Sequence, residues 1–204
     1  MKLVLARHGN TFGPGDRVVW VGARSDLPLV EKGREQARAI GVALRRQGLA
    51  PNFIYAGPLK RTVETARLVA EEVGGDPAVA IVEELREIDY GRWEGLSNED
   101  IRELDGNEDI DGWQRLSIWP ENAGWQPDPE TILMRWSALL RRMTEAAGPD
   151  ATVLAVSSNG IFRVVAKVLG IAPEEAKMAT GALALVDVTE RGARVERWNI
   201  RPQD

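Results

Sequence analysis

The hydrophobic residues of this chain are grouped in short blocks, and several of these blocks are continuous apolar runs bounded by turn-forming residues. Runs of this kind are typical of strands that are buried in a sheet. They predict strands at 2–6, 53–56, 78–82, 152–157, 182–187 and 193–199. No helical pattern separates the last two runs, so we expect them to form an antiparallel pair at an edge of the sheet.

Between these runs, apolar residues recur at the spacing of an amphipathic helix. The first such segment carries Gly33, Ala37, Ile40 and Leu44 among charged residues, and Gly48 follows it in the position of a C-cap. Further helices are predicted at 61–73, 130–147 and 160–169. The alternation of strands and helices predicts a three-layer α/β/α fold with a mostly parallel sheet.

The segment 88–129 interrupts this alternation. It is acidic, is punctuated by Gly and Pro, and carries Trp93, Trp113, Trp119 and Trp125. We interpret it as an inserted lid beside the ligand crevice, within a single domain that spans 1–204. The tryptophans either shape the substrate pocket or anchor the insertion, and the pattern does not decide between these roles.

Composition narrows the classes of function. The chain has 204 residues, of which 44% are hydrophobic, and its 26 basic and 31 acidic residues give a net charge of -5. This balance argues against a sequence-independent nucleic-acid binder. No apolar stretch approaches the roughly 20 residues that span a bilayer, and no signal-peptide pattern is visible. We therefore expect a cytoplasmic protein that binds neither nucleic acid nor membranes.

The chain has few side chains of the types that bind transition metals or act as strong nucleophiles, namely cysteine and histidine. The chain has no cysteine and a single histidine, His8. Disulfides, thiolate metal sites and cysteine nucleophiles are thereby excluded, and a transition-metal site is disfavoured. We expect no metal and no other cofactor, and any imidazole chemistry must take place at His8.

The first predicted strand leads directly into Arg7 and His8. In an open α/β sheet, the carboxyl ends of the strands face the crevice in which ligands bind. A neutral imidazole can act as a nucleophile, and an arginine offers a forked set of donors that suits phosphate. Because Arg7 is a cation, it also disfavours the imidazolium form of His8.

Three further segments place reactive groups next to strand ends. Arg61 begins a helix, and a helix N-terminus together with an arginine attracts phosphate. The segment 84–95 carries carboxylates that could protonate a leaving group. Ser158 and Asn159 lie at a strand-to-helix turn that offers hydroxyl, amide and backbone donors.

Taken together, these segments resemble the histidine phosphatase superfamily, in its phosphoglycerate mutase-like branch, along nearly the whole chain. Residues 5–11 (LARHGNT) are similar to its L-x-R-H-G-x-T signature, and residues 25–37 to its S-D-x-P-L-T-x-x-G-x-x-Q-A stretch. Residues 58–66 (PLKRTVETA) resemble S-P-L-x-R-x-x-x-T-A, and residues 85–95 (LREIDYGRWEG) resemble L-x-E-x-x-x-G-x-W-E-G. The combined match is specific, and it implies a phosphoglycerate mutase-like fold.

The resemblance also implies roles for individual residues. His8 attacks phosphorus to form a phosphohistidine, while Arg7 and Arg61 hold the phosphoryl oxygens and Glu87 donates the proton to the leaving group. Asn10, Ser158 and Asn159 complete the predicted phosphate site. Some alternatives remain open. Arg61 could be a solvated helix residue, Glu87 could pair with Arg86 or Arg92, and Glu84 or Asp89 could be the acid.

The chain departs from the family pattern at two places. The second histidine of the family's S-H-G-G-x-x-R turn falls on Ser158, with Asn159 in a glycine position. A cationic donor is thereby replaced by neutral groups, and loss of one such donor typically costs on the order of 10²–10³ in rate. Pro14 also lies where many members have an asparagine, so the resemblance does not fix the substrate.

The sequence therefore predicts a metal-independent phosphatase that acts on a small phosphorylated metabolite through His8. Two alternatives remain: a catalytically weak or silent protein that binds a phosphorylated ligand, and a phosphomutase of the phosphoglycerate mutase type. A homodimer formed through an edge strand is a further expectation, which no motif tests.

Overall fold

A computed structural model describes residues 1–75 and 77–202 of the chain. This part contains six strands and six α-helices. The strands are β1 (Lys2–Arg7), β2 (Phe53–Ala56), β3 (Val79–Ile81), β4 (Thr152–Ser157), β5 (Leu183–Thr189) and β6 (Gly192–Ile200). The helices are α1 (Glu31–Arg46), α2 (Lys60–Val73), α3 (Asn98–Asp105), α4 (Glu108–Leu116), α5 (Pro129–Ala147) and α6 (Asn159–Val168). None of the helices described here is long and apolar enough to cross a membrane.

The strands form one six-stranded sheet in the order β3-β2-β4-β1-β5-β6. The pairs β2–β3, β2–β4 and β1–β4 are parallel, whereas β1–β5 and β5–β6 are antiparallel. The predicted mostly parallel α/β sheet is therefore confirmed. The last two strands do pair antiparallel, but β5 also pairs with β1, so of these two strands β6 alone lies at an edge of the sheet, and β3 forms the opposite edge.

Alternating residues of the central strands face opposite layers of the fold, as the two-residue period of a strand requires. One face packs on α1 and α2, and it is formed by Val4, Ala6, Ile54, Ala56, Leu154 and Val156. The other face packs on α5 and α6, and it is formed by Leu3, Leu5, Val153 and Ala155. Because both faces of the sheet are covered, the central strands β1 and β4 are apolar between their first and last residues.

The helix boundaries follow from local capping chemistry. Asp128 caps α5, because its side chain accepts a hydrogen bond from the backbone N–H of Thr131 at 3.0 Å, and Pro129 occupies the first turn. Ser97 caps α3 by a reciprocal pair of hydrogen bonds with Asp100. The hydrophobic pattern does not predict α3 or α4, because each helix is short and carries few apolar residues.

The segment 88–129 packs its tryptophans into the core. Trp93, Trp113 and Trp125 are at most 3% exposed and belong to the hydrophobic cluster that covers one face of the sheet. Their rings contact one another and Trp20 edge to face or tilted, with Trp93 and Trp125 centroids 5.2 Å apart. These three tryptophans therefore anchor the segment.

Candidate active site

The central strands β1 and β4 bring the candidate residues together. Their parallel register pairs Arg7 with Ser157, so the residues that follow, His8 and Ser158, leave the sheet side by side. A cavity of about 680 Å³ opens at this end of the sheet. Of the predicted site residues, it is lined by Arg7, His8, Asn10, Arg61, Glu87 and Asn159.

The backbone and the ring of His8 are both fixed. Its N–H donates to the carbonyl of Ser157 at 3.1 Å, and its own carbonyl accepts from the N–H of Gly181 at 3.1 Å. Nδ1 lies 2.7 Å from the carbonyl oxygen of Gly9. Because a carbonyl can only accept, Nδ1 carries the proton, and Nε2 keeps its lone pair.

The charge state of His8 suits a nucleophile. Burial lowers its pKa well below the usual value, and the nearby cations Arg61 and Arg7 lower this pKa further. The hydrogen bond to Gly9 only partly opposes these effects. The imidazole is therefore neutral at physiological pH.

The loop after β1 is held close to helix α1. A Cβ on Gly9 would lie 2.7 Å from the Cα of Gly33, so neither backbone leaves space for a side chain there. The N–H of Asn10 donates to Gln36 Oε1 at 2.9 Å, and the carbonyl of Asn10 accepts from the N–H of Val30 at 3.0 Å. These contacts fix Asn10 at the cavity wall.

Arg7 lies beside the imidazole and is held from the loop before β5. Its Nη1 donates to the carbonyl of Met178 at 2.7 Å, and its buried Nε has no partner. Burial lowers the pKa of Arg7 to about 10, although Glu87 opposes this shift. The guanidinium therefore remains charged at neutral pH, and its buried Nε–H group is left without a partner.

Arg61 lies in the first turn of α2 and is only 1% exposed. Its Nη1 donates to the carbonyl of Ser25 at 2.7 Å, and its Nη2 donates to the carbonyls of Gly22 at 3.1 Å and Val21 at 3.3 Å. The alternative of a solvated helix residue is wrong. Arg61 holds the segment 21–25 in place and contributes a fixed positive charge to the cavity wall.

The Glu87 carboxylate is held by backbone donors. Oε1 accepts from the N–H groups of Ile88 at 3.0 Å and Ile161 at 3.2 Å, and Oε2 accepts from that of Gly160 at 3.2 Å. The alternative of an ion pair is wrong, because Arg86 pairs with Glu83 and Arg92 pairs with Asp105.

Burial governs the charge of Glu87. Desolvation raises its pKa, and this outweighs the opposing effects of Arg61 and of the backbone donors. A carboxyl with a raised pKa beside a nucleophile has the properties of a general acid. The hydroxyl of Tyr90, which also lines the cavity, lies next to the Glu87 carboxyl at Gly160, and burial raises the pKa of Tyr90 as well.

The two alternative acids lie elsewhere. Glu84 pairs with Arg142 at 2.8 Å, and Asp89 pairs with Arg24 at 3.0 Å. Neither lines the cavity that contains His8. Glu87 is therefore the predicted acid that lines the same cavity as the imidazole. Across the described ranges, no three His, Cys, Asp or Glu side chains cluster in a way that could hold a metal ion.

Ser158 and Asn159 begin helix α6 but differ in their surroundings. Ser158 is fully buried, its Oγ has no hydrogen-bond partner, and it is not part of the cavity wall. Asn159 lines the cavity, and its Oδ1 accepts from the N–H of Met178 at 3.0 Å. Its amide nitrogen can therefore donate to a ligand, which favours Asn159 over Ser158 for direct contact.

Among the cavity-wall residues that were not predicted from the sequence, three have side chains suited to binding or proton transfer, namely Tyr90, Arg163 and Lys177. Tyr90 lies three positions after Glu87 within the same motif, a signal that could have found it. Arg163 donates to the carbonyls of Trp113 at 2.8 Å and Gln114 at 2.9 Å, so it ties the end of α4 to α6. No motif marks Lys177.

Comparisons with known proteins agree with this fold. The sequence profile of the histidine phosphatase superfamily (branch 1) matches residues 3–201. The 2,3-bisphosphoglycerate-dependent phosphoglycerate mutase of Parvibaculum lavamentivorans is 30% identical over 204 residues, covering 96% of this chain and 94% of the mutase. The mutase of the same name from Bartonella bacilliformis is 31% identical over 186 residues, covering 88% of each chain.

Solved structures resemble the chain over almost its whole length. The alpha-ribazole phosphatase from Shigella flexneri is 25% identical, with a TM-score of 0.73 and coverage of 98% of this chain and 97% of that one. A mycobacterial glucosyl-3-phosphoglycerate phosphatase in complex with VO3 is 23% identical, with a TM-score of 0.78 and coverage of 97% and 98%. Since the family profile spans nearly the entire sequence and the fold agrees, the chain belongs to the histidine phosphatase superfamily (branch 1).

Proposed function

We propose that this protein hydrolyses a small phosphomonoester without a metal ion, through a phosphohistidine intermediate on His8. The carrying observation is the neutral imidazole of His8, whose Nδ1 is tied to the Gly9 carbonyl while Arg7 and Arg61 line the same cavity. This arrangement leaves Nε2 as an oriented nucleophile in a positively charged pocket.

In the first step, Nε2 of His8 forms a bond to phosphorus as the bond from phosphorus to the leaving oxygen breaks. Arg7 and Arg61 offset the charge on the phosphoryl oxygens, and the Asn159 amide offers a neutral donor. The leaving oxygen takes the proton of Glu87. The products are the free alcohol, phospho-His8 and an ionised Glu87.

In the second step, the Glu87 carboxylate accepts a proton from water as that water attacks phosphorus. The bond from phosphorus to Nε2 breaks, inorganic phosphate forms, and both Glu87 and His8 return to their initial protonation states. The same carboxyl thus acts first as an acid and then as a base. The site of the reaction stays at one nitrogen, because His8 is the only histidine of the chain.

A phosphomutase is the second candidate, because the curated relatives described above are named phosphoglycerate mutases. A mutase must keep its phosphoenzyme intact until the product is rephosphorylated, so water must react slowly with it. The chain has no second histidine, and Pro14 alters the first loop, which favours hydrolysis over efficient mutase chemistry. A silent binding protein is disfavoured by the joint presence of His8, Arg7, Arg61 and Glu87 at one cavity.

The test measures phosphate release from an aryl phosphate in the presence of a chelator, together with acid-quenched trapping of the phosphoenzyme. We expect turnover and an acid-labile phosphoenzyme in the native protein, and neither in His8→Ala. Glu84→Gln serves as the matched carboxyl control for Glu87→Gln, since Glu84 lies outside the cavity.

Two results would contradict the phosphatase proposal and favour one of the alternatives. Phosphate transfer from 2,3-bisphosphoglycerate to a monophosphoglycerate, faster than hydrolysis, would establish the mutase. No turnover, combined with phosphate binding that depends on Arg7, would establish a binding protein.

A further inference from the structure

Lys177 is a cation of the cavity wall that has no role in the two proposed chemical steps. It lies between α6 and β5 and lines the same cavity as His8. Its pKa is lowered by burial first, and then by the charges of Arg163 and Arg7, with no carboxylate acting to raise it. Within residues 1–75 and 77–202, no carboxylate forms an ion pair with Lys177, although Glu174 and Glu175 line a neighbouring surface pocket together with it.

The backbone next to Lys177 is fixed to the catalytic centre. The N–H of Met178 donates to Asn159 Oδ1 at 3.0 Å, and the carbonyl of Met178 accepts from Arg7 Nη1 at 2.7 Å. A few residues later, the N–H of Gly181 donates to the carbonyl of His8 at 3.1 Å. The position of Lys177 relative to the nucleophile is thus set by three hydrogen bonds, while its long side chain can still adjust.

The cationic side chains of the cavity exceed the needs of one phosphoryl group. Arg7 and Arg61 lie beside His8, and Arg163 and Lys177 add two further positive charges to the wall. Arg163 donates from Nη1 to the carbonyl of Trp113 and the hydroxyl of Ser117, and from Nη2 to the carbonyl of Gln114, so most of its guanidinium is used to hold α4 against α6. The ammonium group of Lys177 makes no hydrogen bond or ion pair with the described residues and is therefore available to a ligand.

The carboxyl groups of the cavity do not balance this excess. They are Glu87, which must be protonated to act as an acid, and Glu99 on α3. Like charges that lie close together are unfavourable, and an anionic group bound between them relieves the repulsion.

The size of the cavity leaves space for such a group. Its volume is about 680 Å³, several times that of a phosphoryl group, and the wall formed by the first loop is apolar at Phe12, Val18 and Val19. The leaving group of a substrate therefore meets an apolar wall on one side of the cavity and a cationic wall on the other.

We propose that Lys177 binds a second anionic group, an oxyacid group such as a carboxylate or a phosphate, on the leaving group of the substrate. The favoured substrates are thus phosphomonoesters that carry an additional negative charge beyond the ester itself. This inference rests on the proposed phosphatase function, and it assigns Lys177 to substrate selection rather than to the chemical step.

The experiment compares kcat/KM for phenyl phosphate, 3-carboxyphenyl phosphate and 1,3-phenylene bisphosphate in the native protein and in Lys177→Met. We expect the native protein to prefer the two charged substrates by about fivefold to tenfold, the range of a partly exposed charged hydrogen bond. Lys177→Met abolishes this preference, while its kcat/KM for phenyl phosphate stays within about twofold of the native value.

Controls separate a specific contact from general charge. Lys167→Met, a change on helix α6 outside the cavity wall, retains the preference, and so does Lys177→Arg. Whichever of the two charged substrates loses more in Lys177→Met identifies the preferred anionic group. An equal loss for all three substrates in Lys177→Met, or a native protein without any preference, would overturn the inference.

Failure of the proposed function has a different signature. If none of the three substrates is turned over, the same comparison is made with their dissociation constants, measured by the change in tryptophan fluorescence. A preference that is lost in Lys177→Met then supports the anion site in a binding protein, and equal dissociation constants refute it.

Discussion

Glu87 Oε2 accepts a hydrogen bond from the backbone N–H of Gly160 at 3.2 Å, so the predicted acid is bound to the first turn of helix α6. A Cβ on residue 160 would lie 2.6 Å from Glu87 Oε1, and the Tyr90 hydroxyl lies against the same position. The absence of a side chain at Gly160 thus determines where the carboxyl can sit relative to His8.

Gly160→Ala should therefore displace Glu87 and lower kcat for an alkyl phosphate by on the order of 10², the lower range of what a general acid contributes. The matched control is Gly112→Ala in α4, where the nearest atom to a new Cβ lies at an ordinary 3.6 Å. That control should keep its activity and gain about 0.5–1 kcal/mol of stability. Equal activities of the two folded variants, checked by circular dichroism, would contradict the assigned role of Gly160.

Glu87→Gln should slow alkyl phosphates by on the order of 10²–10⁴, because their leaving oxygen needs a proton, and should slow p-nitrophenyl phosphate far less. In the native protein, the rate with an alkyl phosphate should fall as the pH rises through the pKa of Glu87, which burial holds above its usual value. Rate profiles against pH check this expectation. A similar alkaline decline in Glu87→Gln would assign it to another group.

His8 should make stability dependent on pH. Its folded-state pKa lies well below that of the unfolded chain, so the unfolded state binds more protons at low pH. The contribution of His8 to the unfolding free energy is therefore fully present above about pH 6.5. It falls by about 1.4 kcal/mol for each pH unit below that value, down to the folded-state pKa.

Between pH 8 and pH 5.5, the native protein should lose on the order of 1 kcal/mol more unfolding free energy than His8→Asn. Urea denaturation at the two pH values measures both losses. Equal losses would show that the buried imidazole becomes protonated without cost.

Ser158→Ala should leave stability within about 0.5 kcal/mol and kcat within about twofold, because the Ser158 hydroxyl has no partner and lies outside the cavity wall. Asn159→Ala should cost about 1–3 kcal/mol, because it leaves the N–H of Met178 without its acceptor. It should also lower kcat/KM, since Asn159 faces the cavity. A large loss of kcat in Ser158→Ala alone would assign the donor to the serine hydroxyl.

The fold could largely be predicted because its signals are local. The apolar run of β1 and the glycine after α1 each mark a boundary of their own element, without reference to distant residues. The position of His8 directly after a strand follows from the end of β1. Helices α3 and α4 were missed because a reciprocal cap between Ser97 and Asp100 is a weaker signal than an apolar stripe.

The contacts of the site residues could not be predicted, since their partners are distant in sequence. Arg86 and Arg92 are the nearest cations to Glu87 along the chain, yet its carboxylate binds the N–H of Gly160, 73 positions away. Arg61 likewise binds carbonyls 36 to 40 positions away. Lys177 belongs to no motif, and only the fold brings it to the cavity.

The linked aromatic rings have a consequence for how this protein can be observed. Trp20 lines the cavity, and its ring centroid lies 5.2 Å from that of Trp93 and 5.7 Å from that of Trp125. The Trp125 centroid lies 4.9 Å from that of Trp113, and the Arg163 guanidinium lies over the Trp113 ring. Rings at these separations exchange excitation energy, so light absorbed anywhere in the cluster can reach Trp20. A ligand that touches one indole therefore alters the emission of the whole group, so tryptophan fluorescence reports binding at the candidate site without an added label.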